Sequence, residues 1–190
     1  MKKKFEYELH VMLDIETLST DINTSIINIG AASFNVNTGN IYNTIGLPIH
    51  PFNWNKDGRT FDGDTLMFWL KQGYSHFKDY KYLSPHEHTL KKALLDLKEF
   101  FIHQTIHGSI VNVWGNGATF DISILENAYK YYGIECPWNF REVRDLRTIV
   151  WLNPSVKENM KFEGVKHDPI DDCKHQIKYL VETLKSVNIL

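Results

Sequence analysis

Two acidic side chains follow an apolar run near the start of the chain, in the segment VMLDIETLST of residues 11–20. Asp14 and Glu16 are separated by one isoleucine, and residues two apart in a β-strand point to the same face. Two carboxylates at one place repel each other unless a cation lies between them. Because Mg²⁺ and similar hard cations prefer oxygen ligands, the pair predicts one half of a metal site.

A metal site for phosphoryl transfer needs further carboxylates from other elements of the fold. Asp121 is one candidate, because it follows an apolar strand and a glycine-rich turn in WGNGATFD and opens a helix. An aspartate that only caps the helix is the alternative. The strong preference for Asp at helix caps favours that alternative when Asp121 is taken alone.

The segment HDPIDDCKHQ near the C-terminus supplies a histidine and two more acids. On a helix, Asp171 falls on a polar stripe with Lys174 and Lys178, whereas Asp172 lies at the border of the apolar stripe. An acid at that border is better placed to reach a sheet edge, so we choose Asp172 as the ligand. His167 precedes the helix and, with an ordinary pKa of about 6.5, suits deprotonation of a water. A surface histidine is the alternative, since the chain has nine.

A sheet with helices packed on it must position these residues. Alternating and apolar runs predict strands at 7–14, 25–36, 39–49 and 109–115. Periodicity and capping signals predict helices at 65–72 (capped by Asp64), 84–104, 122–132 and 169–187 (capped by Asp168). Residues 153–169 are predicted as a loop, and 142–150 fit either a strand or a helix. The order predicts an α/β fold with a mixed sheet, a three-strand antiparallel meander and then alternating helix and strand, flanked by helices.

Length and charge limit the classes of protein to consider. The chain has 190 residues, which fits one domain over residues 1–190. Its formal net charge of −2 does not indicate a globally basic nucleic-acid-binding surface, so a polyanion would need local patches or metal. Glu6 and Glu8 interrupt any apolar signal segment, and no uncharged apolar run approaches the ~18 residues of a membrane span. We therefore expect a cytoplasmic protein with no membrane partner.

The segments LDIET, FDISIL and HDPIDD together resemble the DEDDh group of 3′–5′ exonucleases, which have the ribonuclease H-like fold. The family pattern is D-x-E, a middle Asp and H-x4-D, which here corresponds to Asp14, Glu16, Asp121, His167 and Asp172. The segments DTLMFWLKQ, VWGNGATFD and REVRDLRTI resemble those of phage exodeoxyribonuclease A-like proteins and related bacterial exoribonucleases. One departure is Pro169, at a position where proofreading members often carry a small residue.

The resemblance implies two divalent ions, Mg²⁺ or Mn²⁺, in one active site. Asp14 would bridge both ions, Glu16 and Asp172 would complete one shell, and Asp121 would serve the second. His167 would be the general base for the water that attacks the terminal phosphodiester. The four acids would thus be both metal ligands and catalytic residues.

Substrate contacts are expected from the residues after D-x-E and from aromatic rings. In related enzymes that position lines the terminal nucleotide's pocket, and here it holds Thr17 and Leu18. Trp69 and Trp114 are candidates for base stacking, which contributes about 1–3 kcal/mol per base in single-strand binders. Packing in the core is the alternative for both, and it is favoured for Trp114 and, by a smaller margin, for Trp69.

Three arginines, Arg141, Arg144 and Arg147, recur at three-residue steps and are candidates for phosphate contacts. They share one face if the stretch is helical, whereas in a strand Arg144 points away from the other two. A solvated basic face, or an ion pair of Arg144 with Asp145, is an equal alternative.

The expected function is a metal-dependent 3′–5′ exonuclease that releases nucleoside monophosphates from single-stranded DNA or 3′ overhangs. The alternative is a 3′–5′ exoribonuclease acting on RNA or short oligoribonucleotides, since the same constellation serves both sugars. A catalytically silent nucleic-acid-binding module and a small-molecule phosphodiesterase are further hypotheses. The expected partner is a nucleic-acid 3′ end, with single-stranded DNA ahead of RNA, and a homodimer is left open.

Overall fold

The computed structural model describes residues 9–73, 76–104 and 111–190, and at its centre lies one five-stranded sheet. The strands are β1 (Leu9–Thr17), β2 (Ile26–Phe34), β3 (Ile41–Pro48), β4 (Val111–Gly115) and β5 (Val143–Asp145). Their order is β3-β2-β1-β4-β5, antiparallel within the first three and parallel from β1 through β4 to β5. The predicted mixed sheet with its antiparallel meander is confirmed. The predicted strand residues 7, 8, 109 and 110 lie outside the described residues.

Helices cover both faces of the sheet. They are α1 (Gly63–Gln72), α2 (Leu90–Gln104), α3 (Asp121–Tyr132), α4 (Leu146–Val150), α5 (Pro154–Asn159) and α6 (Pro169–Ser186). Val11 and Leu13 of β1 pack in a core with α2 and α3, whereas Met12 packs on the opposite face against α6. Because side chains alternate along a strand, Asp14 and Glu16 continue the row of Met12 on the α6 face.

The first turn of α6 lies directly on the backbone of the sheet. A Cβ at Gly30 of β2 would be 2.5 Å from the carbonyl carbon and oxygen of Pro169. A Cβ at Gly46 of β3 would be 2.8 Å from Cδ1 of Ile170. Gly30 is also the register partner of Asp14, so the helix begins beside the first of the acids.

Helix boundaries follow the capping side chains. Asp168 accepts hydrogen bonds from the backbone N–H groups of Ile170 and Asp171, so the predicted cap of α6 is confirmed. The predicted cap of α1 is wrong, because Asp62 rather than Asp64 accepts the hydrogen bond from Thr65, at 2.7 Å. Asp64 lies in the first turn instead.

Three other segments differ from the prediction. Helix α2 begins at Leu90, which is also the first residue of the apolar periodicity, rather than at residue 84. The predicted loop 153–169 contains α5, which buries none of its residues and therefore has no apolar pattern that would reveal it. The ambiguous stretch 142–150 is both kinds of element, β5 followed by α4.

Within the described ranges, none of the helices has the length and apolar character that crossing a membrane requires.

Candidate active site

Asp14 and Glu16 form the sheet side of an acidic cluster. Nε2 of Gln176 in α6 donates a hydrogen bond to Oδ1 of Asp14, at 2.7 Å. Burial, and then the negative charges of Asp121 and Asp172, raise the pKa of Asp14 well above its ordinary value. Burial and the charge of Asp14 raise the pKa of Glu16 to about 10. Without a bound cation, the protein therefore disfavours the charged form of both acids.

Asp121 joins this cluster from α3 and does not cap that helix. Phe120 occupies the cap position, while Asp121 is only 5% exposed and opens the helix itself. Its Oδ1 is 3.4 Å from the backbone nitrogen of Ile15, which lies between the two acids of β1 and donates the hydrogen bond. Burial raises the pKa of Asp121 to about 7. The capping alternative for Asp121 is therefore wrong.

Asp172 and His167 form the third side of the cluster. One ligand atom each of Glu16, His167 and Asp172 lie within 4.8 Å of one another. The backbone N–H of His167 donates to Oδ2 of Asp172 at 2.7 Å, which fixes the loop before α6 to its first turn. Burial raises the pKa of Asp172 to about 6. His167 has φ +64°, an uncommon value outside glycine, and this bond holds it there.

Asp171 takes a different place from its neighbour. Its carboxylate accepts a hydrogen bond from the backbone N–H of Val165 at 3.0 Å and pairs with Lys174 at 2.9 Å. These bonds direct Asp171 toward the preceding loop, away from the acids of β1. On α6, Asp171 therefore lies on the polar face and Asp172 beside Glu16, as the positions of the two residues on the helix predicted.

Aromatic rings surround His167. Its ring centroid is 5.0 Å from that of Phe68, 6.0 Å from that of Trp69 and 6.3 Å from that of His76. Burial, and then the charge of His76, lower the pKa of His167, so the imidazole is neutral near pH 7. The sequence analysis missed Phe68, which is 38% exposed, and His76, which no motif connects to the cluster.

Trp69 separates two cavities and is not an open stacking platform. A polar cavity of about 310 Å³ lies on the Glu16 and His167 side, and an apolar cavity of about 310 Å³ includes Leu18 and Phe77. Trp69 lines both but is only 4% exposed, and its indole N–H donates to the carbonyl of Thr17 at 2.9 Å. This burial agrees with the core-packing alternative for Trp69, and a contact of its ring with a base stays a prediction.

Other predicted substrate contacts are also buried. Thr17 is buried and its hydroxyl donates to the carbonyl of Ser19, at 2.8 Å, while Leu18 packs in the small cluster of Ile27 and Trp69. Trp114 is in the core and donates to Nδ1 of His10, as the packing alternative predicted. Leu18 is thus the member of this group whose side chain borders a cavity.

The arginine segment contributes one cation to the cluster. The guanidinium of Arg147 in α4 would lie 3.1 Å from a Cβ at Gly117, and its charge lowers the pKa of Asp121 against the effect of burial. Arg144 instead donates to the carbonyls of Arg141 and Val143, at 2.6 and 2.9 Å. The three arginines fall in a 3₁₀ helix, a strand and a helix, so they do not share one regular face.

The proposed pair of Arg144 with Asp145 is not formed. Oδ2 of Asp145 accepts from the backbone N–H of Ala118 at 2.7 Å, and Oδ1 accepts from that of Thr148 at 2.8 Å. Asp145 therefore caps α4 and at the same time fixes the glycine-rich turn before Asp121. The turn itself requires Gly117, whose φ is +112°.

The acidic cluster fits hard divalent cations. Its four carboxylates offer oxygen donors of the kind that Mg²⁺ and Mn²⁺ prefer. Burial raises the pKa of each of them, and buried charges in proteins are normally paired or coordinate a metal. The donor set and its excess of negative charge agree with a site for such ions.

A model for one protein family matches residues 9–184 and is described as a 3′–5′ exoribonuclease Rv2179c-like domain. A solved nuclease domain of 3′hExo, described as a DEDDh family member bound to rAMP, has a TM-score of 0.63 at 16% identity, over 95% of this chain and 94% of that one. Cell-death related nuclease 4 has a TM-score of 0.64 at 17% identity, with 95% and 64% covered. Exonuclease I has a TM-score of 0.62 at 14% identity, with 95% and 42% covered. No curated protein sequence gave a significant match.

Proposed function

Because the chain belongs to the family of Rv2179c-like 3′–5′ exoribonuclease domains and is a 3′–5′ exonuclease of the DEDDh type, we propose that its substrate is RNA. The family match over residues 9–184 carries this proposal. It favours the exoribonuclease alternative over single-stranded DNA, which the sequence analysis placed first. We further propose that residues 1–190 form one catalytic domain.

We propose that Asp14, Glu16, Asp121 and Asp172 would hold the divalent ions, two Mg²⁺ or Mn²⁺ in one site. When bound, such ions neutralise phosphate charge and ease deprotonation of a nearby water. Gln176 orients the carboxylate of Asp14 through the 2.7 Å hydrogen bond, and Ile15 does the same for Asp121 through its backbone N–H. The chain thus supplies both the carboxylate ligands and the hydrogen bonds that orient two of them.

His167 is the proposed general base. Its lowered pKa leaves the imidazole able to take a proton from the attacking water at neutral pH. The water adds to the terminal phosphorus, and the bond to the 3′ oxygen of the preceding nucleotide breaks. The terminal nucleotide then leaves as a nucleoside 5′-monophosphate, and the leaving 3′ oxygen takes up a proton from solvent, so the shortened strand ends in a new 3′-hydroxyl.

Leu18 and Trp69 are proposed as walls of the terminal nucleotide's pocket rather than as exposed platforms. Thr17 contributes to that wall through its backbone carbonyl, which holds the Trp69 indole. Arg147, beside Asp121, is the proposed phosphate contact. Arg144 is a weaker candidate for that role, because its guanidinium is bound to backbone carbonyls.

The RNA proposal predicts a sugar preference. RNA and DNA oligomers of one sequence, each labelled at the 5′ end, are incubated with Mn²⁺ and protein, and the shortening of each is followed by electrophoresis. A site that binds a substrate hydroxyl discriminates strongly against the analogue that lacks it, so we expect RNA to be shortened at least about tenfold faster. Asp14→Asn protein purified in parallel controls for contaminating nuclease. Equal rates, or faster shortening of DNA, would refute the proposal.

Gln176 gives a prediction for metal binding. Gln176→Met keeps a side chain of similar length but removes the donor to Asp14, and loss of such supporting bonds weakens metal affinity by about 10- to 100-fold. Isothermal titration calorimetry with Mn²⁺ measures the change directly, without substrate. Thr183→Val, at another buried position of α6, is the packing control and should bind Mn²⁺ as the unaltered protein does. Unchanged affinity in Gln176→Met would contradict the positioning role.

A further inference from the structure

A second polar side chain of the sheet stands next to Glu16. Asn28 of β2 is the register partner of Glu16 in β1. Opposite residues of an antiparallel pair carry their side chains on the same face, with Cβ atoms about 4.5–5.5 Å apart. Asn28 and Glu16 both line the polar cavity of about 310 Å³ that His167 also borders. The amide is therefore a neighbour of the carboxylate inside the same cavity.

No interaction within the described part of the fold accounts for the buried amide oxygen of Asn28. Its Oδ1 is buried and has no hydrogen-bond partner among the described residues. Buried polar atoms are nearly always bonded, so an unpartnered oxygen here requires a reason. Among the residues that line this cavity and that the structure describes, Asn28 is the one with such an atom. Rotation of the amide about its last bond exchanges its oxygen and nitrogen, so either group can turn toward a ligand.

The chemistry of an amide matches that of a hydroxyl. An asparagine side chain offers one acceptor and two N–H donors, and a hydroxyl can donate and accept at once. Of the four acids of the cluster, Glu16 is the one that lines the cavity, so it is the acid placed to accept a hydrogen bond from a hydroxyl of a nucleotide bound there. The 2′- and 3′-hydroxyls of ribose are on adjacent carbons. A sugar whose 3′-hydroxyl meets Glu16 thus presents its 2′-hydroxyl to an adjacent side chain.

We propose that Asn28 recognises the 2′-hydroxyl of the 3′-terminal nucleotide and is the residue that selects RNA over DNA. The 2′-hydroxyl is the group by which a protein distinguishes the two nucleic acids at a given position. This inference rests on the proposed function, because it places the terminal nucleotide in the cavity beside Glu16 and His167. It assigns the sugar preference to one side chain of β2 that no catalytic motif includes.

The test uses two RNA oligomers of the same sequence, one of which lacks only the 2′-hydroxyl of its 3′-terminal nucleotide. With the unaltered protein and Mn²⁺, we expect kcat/KM for the first cut to fall about tenfold or more when that hydroxyl is absent. In Asn28→Ala, we expect the all-ribose oligomer to be cut as slowly as the terminally deoxy one. The rate on the terminally deoxy oligomer should change by less than about threefold.

Asn28→Leu gives a second variant of similar size without polar atoms. Because the Asn28 oxygen has no partner within the described protein, its removal should not lower the melting temperature, and the same loss of preference is expected. If either variant keeps the preference of the unaltered protein, or if both oligomers slow equally, Asn28 does not read the sugar and the exonuclease proposal stands. If the unaltered protein shortens neither oligomer, the proposed function itself fails.

Discussion

Asp172→Asn is expected to lower the rate of mononucleotide release by about 100- to 1000-fold, the range for loss of one preorganised electrostatic contribution to a transition state, because a neutral amide is a weaker ligand for a divalent cation than a carboxylate. Asp171→Asn, one position away, should leave the rate within about threefold, because its partners are the N–H of Val165 and the ammonium of Lys174. The two substitutions remove the same charge from adjacent residues of one helix. Single-turnover assays on RNA with Mn²⁺ compare them directly.

The Asp172→Asn variant should fold. An asparagine oxygen can still accept the hydrogen bond from the His167 backbone N–H, which is 2.7 Å long in the unaltered protein. Since burial disfavours the Asp172 carboxylate, removing its charge should leave the melting temperature equal or raise it. Loss of activity together with loss of stability would point to a structural role. High activity in Asp172→Asn combined with inactive Asp171→Asn would reverse the assignment of the two acids.

His167→Asn should lower kcat by about 100- to 10,000-fold, the usual contribution of a general base, with KM changed far less. Asparagine is chosen because it tolerates the left-handed backbone that His167 adopts, with φ +64°, better than most residues. The substitution therefore removes the imidazole without forcing the loop to rearrange. Steady-state kinetics on a labelled RNA oligomer separate the two constants.

A matched histidine control is available on α6. His175 packs against Phe162 and Tyr179, and His175→Asn should leave both kinetic constants nearly unchanged. The general-base assignment would be wrong if His167→Asn raised KM and left kcat intact. That result would make His167 a binding residue, as its ring contacts with Phe68 and Trp69 would also allow.

Spacing within one element was sufficient to select Asp14, Glu16 and Asp172 as candidates, whereas Asp121 taken alone favoured a helix cap. D-x-E needs only a strand, and the choice of Asp172 needs only the angle between successive residues of a helix. The resemblance then joined three segments that no local pattern connects. The mixed sheet followed from the order of apolar runs.

Contacts between side chains of different elements could not be predicted from the sequence. Gln176 has the spacing of one helical turn from Asp172, but its bond to Asp14 depends on how α6 lies on the sheet. Asn28 meets Glu16 only through the β1–β2 register, which runs without a break from His10 to Glu16. Helix α1 exposes Leu66 and Leu70 while it buries Trp69, and which of these apolar residues faces the sheet depends on how the helix packs.

The close contact of α6 with Gly30 and Gly46 limits which substitutions the protein can accept around the acidic cluster. Gly30 meets the main chain of Pro169, and Sγ of Cys173 lies 3.5 and 3.6 Å from the carbonyl oxygens of Met12 and Gly30, so close contact with the sheet backbone sets the separation between the acids of β1 and that of α6. Substitutions farther along α6, at Ile177 and Leu180, are therefore expected to change stability more than that separation. A single methyl group at residue 30 would instead push the first turn of α6 away from the sheet and increase the distance between Asp172 and the acids of β1.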